Sequence, residues 1–474
     1  MKTKLPLSLT LLLLAACLAP PALAQDKERE EVLQVNTRVV FLDALVTDKK
    51  TKAYASDLAP ENFEVLADGQ PRKVSYFTRE GDAARKPLAL VLVFDLERIG
   101  AGRYMRRTDI LEAMAKELER LPVGDEVAIV VLDPGGQEGR REWLSGFTRS
   151  RGQIASAMSI IPTLVGAGGM GGDCEGDDCG GTSVTVNVGG SDKKRVDVKT
   201  NEAKEAKEAK QEPHDSSGPD PSLVKETETI ERAKKGIAEE GVEVDTVFNK
   251  KGEKLTRILK PDGTLIVTRV NKKGEEETDL HDDFDLPRAT YEIERRIAKE
   301  RPNSQPAIVY VTDGIAPMGF DERDFVEDRL NRQNVIFSAL VTDMKTGLKL
   351  AKPLLSPLGN WAGIGIYGVA QHVAKATGGD VVRVHSPADY AKGLNQIIGN
   401  LNARYSLGFA LSDAERDDGV LHPLEVRVRA KDAKGKDRKL EVKARRGYFM
   451  PTAPKQQEAK KTDARGAEAQ TKND

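Results

Sequence analysis

The stretch "LALVLVFDLERIG", residues 88–100, decides the fold. An unbroken apolar run ends in Asp95, the pattern of a strand buried on both faces that delivers a side chain at its carboxyl end. Comparable runs are "VAIVVL" (127–132), "AIVYV" (307–311), "VIFSALV" (335–341) and "VVRV" (381–384). Between and after them, apolar residues recur at helical spacing: Leu111, Met114, Leu118 and Leu121; Ile154, Met158 and Ile161; Ala289, Ile293 and Ile297. The same stripe returns at Val326 and Leu330, Val369 and Val373, then Leu394, Ile397, Ile398 and Leu401. Strands alternating with amphipathic helices predict an α/β fold over residues 87–402, a doubly wound, mostly parallel sheet covered on both faces.

Two flanks have a different texture. Residues 32–86 and 403–451 alternate apolar and polar positions between turn signals such as "TDKK" and "ADGQ", which predicts antiparallel strands. We expect the N- and C-terminal strands to join in one small β domain from which the α/β domain projects. The alternation is interrupted over 165–286 by an insertion that begins "GAGGMGGDCEGDDCGG" and includes "NEAKEAKEAKQEPHDSSGPDP". Most of it is too polar to bury a core. Within it, Gly252, Gly263 and Gly274 recur every eleven residues around "KLTRILK" and "TLIVTRV", predicting a small β meander over about 244–280.

The ends are read by composition. "MKTKLPLSLTLLLLAACLAPPALAQ" has Lys2 and Lys4, an apolar run and then small residues, the layout of a signal peptide over 1–24. Cleavage after Ala24 would release Gln25, whereas "LAAC" reads as a lipobox that would put a lipid anchor on Cys17; both readings stand. No later segment is apolar enough to span a membrane, so the mature chain is expected outside the cytoplasm, secreted or periplasmic. The tail, 452–474, is polar and expected to be disordered. Cys174 and Cys179 could close a small disulfide loop in an oxidising compartment or remain free thiols.

The 474 residues carry 73 Lys plus Arg against 75 Asp plus Glu, a balance that offers no global field for nucleic acid or an anionic membrane. There is no GxSxG elbow, no HExxH, no GxxxxGK, and the five histidines are scattered, so no standard catalytic constellation is present. "GAGGMG" (166–171) fits a dinucleotide motif in letters only, since "DCEGDDCGG" follows where a helix must begin. What remains is a set of aspartates at strand ends: Asp95, Asp133, Asp313 and Asp343. Ligands of open parallel sheets bind beyond the strand carboxyl ends, so Asp95 and Asp313 converge if their strands are neighbours. Asp133 and Asp343 are read as loop caps.

The alternation over 88–401, with Asp95 ending the first strand and "VTDG" ending a later one, resembles a von Willebrand factor A domain. The lead-in "LVTDKKTKAYASDLAPENFEVLADGQPRKVSYF" and the closing "YSLGF", "VRVRAKD" and "KARRGYFMP" resemble the flanks of a secreted, von Willebrand factor A-related family of acidobacterial proteins. The resemblance implies a metal-ion-dependent adhesion site, with DxSxS after the first strand and an aspartate after the fourth. By position Asp95 and Asp313 are those aspartates, but Glu97 and Ile99 stand where the serines belong. Ile99 supplies no oxygen and Glu97 is charged and longer, whereas Mg²⁺ requires compact, near-octahedral oxygen ligation. The expectation is a degenerate site in which Asp95, Glu97 and Asp313 are the candidate metal ligands and Mg²⁺ the candidate ion, with no cofactor required.

The functional expectation is a non-enzymatic, extracytoplasmic protein-binding or scaffold protein that engages another protein, and no nucleic acid, through loops and surface. Two alternatives are a metal-dependent adhesion module using Asp95, Glu97 and Asp313, and a Mg²⁺-dependent hydrolase or phosphotransferase using the same carboxylates.

Overall fold

The computed structural model describes residues 38–96, 104–134, 140–165, 184–188, 196–200, 242–249, 251–260, 264–281, 285–312, 320–342 and 368–451. The signal segment with Cys17, the Cys174 and Cys179 pair, and the tail lie outside them. In chain order the first flank supplies β1 (Val39–Asp48), β2 (Phe63–Ala67), β3 (Gln70–Arg72) and β4 (Tyr76–Thr78). Next come β5 (Leu88–Asp95), α1 (Thr108–Leu118), β6 (Glu126–Leu132), β7 (Arg141–Thr148) and α2 (Arg151–Leu164). The insertion carries the hairpin β8 (Val184–Val188) and β9 (Val196–Thr200), then β10 (Glu243–Phe248), β11 (Lys254–Leu259), β12 (Leu265–Val270) and β13 (Glu276–His281). The α/β alternation resumes with α3 (Asp285–Glu300), β14 (Gln305–Thr312), α4 (Phe320–Arg332), β15 (Ile336–Thr342), α5 (Gly368–Thr377), β16 (Val381–Val384) and α6 (Asp389–Asn402). The last flank gives β17 (Tyr405–Ala410), β18 (His422–Val428), β19 (Leu440–Ala444) and β20 (Gly447–Tyr448).

The central sheet has six strands in the order β16-β15-β14-β5-β6-β7. Five are parallel, and β7 runs antiparallel at the edge with two register shifts against β6. β7 is absent from the sequence reading, because "REWLSGFT" has neither an apolar run nor clean alternation. Its aromatic side chains are covered by arginines: Arg296 lies 4.0 Å from the Trp143 ring centre and Arg301 5.3 Å from that of Phe147.

Period-two geometry sends alternate side chains of each strand to opposite faces. Leu88, Leu90, Leu92 and Phe94 of β5 pack with the stripes of α1, α2 and α6, while Val91 and Val93 pack with those of α3, α4 and α5. Every stripe residue read from the sequence is buried. Each fully buried aliphatic side chain contributes about 1.5–3 kcal/mol, so a strand such as β5, buried along its whole length, anchors both layers at once.

The flanks do meet. β1 pairs antiparallel with β17 and β19, and β18 pairs with β2, giving two four-stranded sheets around a shared core of Leu42, Val65, Tyr405, Phe409 and Tyr448. These sheets are tied to the central one through buried polar groups. Arg445 donates from Nη1 to the Asn331 carbonyl at 2.7 Å and from Nη2 to the Phe41 carbonyl, and its burial pushes the guanidinium down to about 10. Asp380 accepts from Asn400 Nδ2 at 2.9 Å and from Lys443 Nζ at 2.6 Å.

In the insertion, the meander has four strands, β10-β11-β12-β13, rather than the two read from sequence. Of the outer pair, "EETDLH" has one apolar residue, Leu280, and "EVDTVF" matches "KLTRIL" in apolar count but borders the polar part of the insertion. Its two like-sided turns are copies of one device. Asn249 Oδ1 accepts from the backbone N–H of Lys251 and Glu253 at 2.9 and 3.0 Å, and its Nδ2 donates to Glu253 Oε2. Asn271 repeats this with Lys273 and Glu275. Gly252 and Gly274 take the left-handed φ of 75° and 82° that such turns require. Among the described residues no helix is long and apolar enough to cross a membrane.

Candidate functional site

The order of the central sheet reverses between β5 and β14: β6 and β7 continue on one side, β15 and β16 on the other. Such a switch point opens a crevice at the strand carboxyl ends, where ligands of open α/β sheets bind. Asp95 is the last residue of β5 and sits at that point, 7% exposed. Because Val311 of β14 pairs with Phe94, the next residue, Thr312, comes alongside Asp95. One carboxylate oxygen, Asp95 Oδ2, accepts from Thr312 Oγ1 at 2.9 Å and from Tyr310 Oη at 3.0 Å. All three side chains emerge on the α3–α4–α5 face, set by the alternation that puts Val91, Val93 and Tyr310 in that core.

One strand further, and on the opposite face, the hydroxyls of Thr342 and Tyr390 share a hydrogen bond at 2.6 Å. Both are buried, and the Tyr104 ring lies 5.9 Å from that of Tyr390. A buried carboxylate and four buried hydroxyl groups thus lie near the strand carboxyl ends, Tyr310 and Thr312 with Asp95 on one face and Thr342 with Tyr390 of α6 on the other.

Asp313 and Glu97 lie outside the described residues, as does Asp343. Asp133 is described: with φ of 53° its N–H donates to the Arg140 carbonyl at 2.8 Å, closing the loop between β6 and β7. Among the described residues no group of three His, Cys, Asp or Glu side chains gathers with metal-binding spacing. Tyr310 and Thr312 were not singled out in the sequence. Their signal is visible in hindsight as two hydroxyl residues in the otherwise aliphatic "AIVYVT".

In chemical terms the arrangement can hold a buried carboxylate in place with two O–H donors. A carboxylate oxygen has two lone-pair directions in its plane, and two hydroxyls occupy that capacity on Oδ2. Hydroxyl donors of this kind fix the orientation of the carboxylate, as the partners of ligating carboxylates commonly do.

No family model and no curated protein matches the chain. Among solved structures, a von Willebrand factor type A protein from Catenulispora acidiphila overlaps 87% of this chain and 75% of its own at 9% identity, with a TM-score of 0.33. The pilus adhesin SpaC from Lactobacillus rhamnosus GG overlaps 85% of this chain at 6% identity and a TM-score of 0.30. Its open conformation gives 9% identity and 0.26. The chain spans half the length of that adhesin. Overlaps this loose leave the fold to rest on strand order and packing.

Proposed function

We propose that this chain is an extracytoplasmic protein-binding or scaffold module whose doubly wound, von Willebrand factor A-like domain engages a partner protein through the strand-end rim, without catalysis and without a metal ion. The observation that carries the reading is the hydroxyl-bonded Asp95 at the switch point of the sheet. Counted within the domain, the strands run in the order 3-2-1-4-5-6 with only the third reversed, an order of the doubly wound class that binds ligands at this position. The binding reading is supported by that position in the sheet; independence from metal is supported by Ile99, which supplies no oxygen where a serine belongs. The extracytoplasmic reading is supported by the Lys2-to-Ala24 layout alone.

The test is capture of an envelope partner on the immobilised full chain, with Mg²⁺ or with excess EDTA, using Glu97→Arg, two positions after Asp95 in the sequence, as the rim substitution and Lys434→Glu on the β18–β19 turn as the remote one. The expected result is saturable capture that is equal in both buffers, weakened at least tenfold by the rim substitution and unchanged by the remote one. Capture abolished by EDTA would transfer the assignment to a metal-dependent adhesion module built on Asp95, Glu97 and Asp313. Capture indifferent to Glu97→Arg would remove the rim from the interaction.

A further inference from the structure

Where α6 meets the flanking sheet, one carboxylate joins an amine to a carboxamide. Asp380, between α5 and β16, is 8% exposed. Its Oδ1 accepts from Lys443 Nζ of β19 at 2.6 Å, and its Oδ2 accepts from Asn400 Nδ2 of α6 at 2.9 Å. Asn400 is buried as well, and its Oδ1 accepts from Tyr54 Oη at 2.9 Å. An ionised carboxylate only accepts, so it faces the amide nitrogen of Asn400 and leaves the amide oxygen to Tyr54.

Each of these groups has a part to play in an exchange of amides. Lys443 supplies the nucleophile. Asp380 touches both the attacking and the leaving nitrogen, so it can carry a proton from one to the other. Tyr54 sets an O–H donor on the oxygen where negative charge would develop. Burial, with Asp380 and Glu80 nearby, pushes the Tyr54 phenol up and keeps that donor protonated. Its approach depends on Gly399, since a Cβ there would stand 2.9 Å from Tyr54 Oη. Arg404 Nη2 donates to the Gly378 carbonyl at 2.6 Å and lies 4.0 Å from Asp380 Oδ2, where its charge favours the ionised form that accepts the first proton.

We propose that Lys443 and Asn400 join in an intramolecular isopeptide bond, with Asp380 as the proton relay, so that α6 is covalently stapled to β19. Lys443 Nζ gives a proton to Asp380, and its freed lone pair attacks Asn400 Cγ. The Nζ–Cγ bond forms as the carbonyl π pair moves onto Oδ1, held by Tyr54. Asp380 then delivers its proton to Nδ2, the π pair returns, the Cγ–Nδ2 bond breaks and ammonia leaves. The surplus proton on Nζ follows through Asp380 and departs with the ammonia as ammonium. One amide replaces another, with no change of oxidation state and no co-reactant.

The bond closes the chain from 400 to 443 into a ring that runs from the α/β domain into the flanking sheets. Such a ring restricts the unfolded chain as a disulfide does, yet as an amide it is indifferent to reductant. The staple is independent of the partner binding proposed for the rim.

Tryptic mapping of the folded full chain by mass spectrometry tests this. The expected species joins residues 393–404 to residues 440–445, uncleaved after Lys443, and is lighter than the two together by one ammonia. Asp380→Ala should form it about a hundredfold more slowly. Lys443→Arg, which keeps a cation beside Asp380, should yield residues 393–404 only as a linear peptide. Full recovery of the linear peptides from the wild type, with cleavage after Lys443, overturns the staple, as does a linked species that forms at the wild-type rate in Asp380→Ala or persists in Lys443→Arg. The wild-type map alone decides if a variant does not fold.

Discussion

Replacing Gly379 with alanine puts a methyl group where the backbone of β15 already lies. A Cβ built there would stand 1.8 Å from the Phe337 carbonyl oxygen, 2.6 Å from its carbon and 2.9 Å from Ser338 Oγ. Relief requires moving two backbone segments apart by more than 1 Å to reach ordinary contact, and those segments are stitched together. Gly379 N–H donates to the Ala374 carbonyl at 2.7 Å, and Ala339 N–H donates to the Asp380 carbonyl at 2.8 Å. Overpacking of a dense interior costs about 1–3 kcal/mol, and each buried backbone group left without a partner costs about 1–3 kcal/mol more. The expected loss is about 4 kcal/mol. Gly124→Ala is the control, since its nearest atom, Pro87 Cβ, is 4.0 Å away and the change should fall within about 0.5 kcal/mol of the parent. Urea unfolding followed by circular dichroism, with the yield of soluble protein beside it, measures both. A Gly379→Ala protein within about 1 kcal/mol of the parent would refute the claimed packing of the α5 exit on β15.

Two further outcomes follow from buried polar groups. Tyr405 Oη donates to the Ala55 carbonyl at 2.6 Å and accepts from Leu58 N–H at 3.0 Å, so Tyr405→Phe strands both groups and should cost about 1–3 kcal/mol in thermal and urea unfolding. Arg257 Nη2 donates to Asp245 at 2.6 Å and Nη1 to Asp328 of α4 at 2.7 Å, so Arg257→Met leaves two largely covered carboxylates without their cation and should cost about 3–5 kcal/mol, read as limited proteolysis of the meander; adding Asp245→Asn and Asp328→Asn should recover most of that resistance.

The α/β domain was legible because its strands are buried on both faces and its helices on one. Runs such as 88–94 and stripes such as Leu394, Ile397, Ile398 and Leu401 are direct imprints of those environments. What escaped was structure whose burial is supplied from elsewhere. β7 owes its cover to arginines on or just after α3, and β13 is a polar strand paired along its length with β12. Arg445 reads as a surface residue within "KARRGY", yet it is 6% exposed, because distant segments supply its acceptors. The site was half legible. Asp95 marks itself by ending an apolar run, but its hydroxyl partners come from β14, more than 200 positions later by the 215-residue separation of Tyr310, and sequence pattern carries no signal over that distance.

The pairing of the two flanks also bears on the order of events in folding. The central sheet is complete once β16 reaches Val384, whereas β1 must await β17, and Asp43 finds Ser406 only 363 residues further on. Closing so long a loop is slow unless the intervening chain has already compacted. An α/β domain that compacts first would shorten that loop, because its two chain ends lie together: Arg85 Nη2 donates to Asn402 Oδ1 at 3.1 Å. Until then β1 is a ten-residue strand with both edges open, and it is during this interval, before the last strands arrive, that the chain is most exposed to pairing with the wrong neighbour.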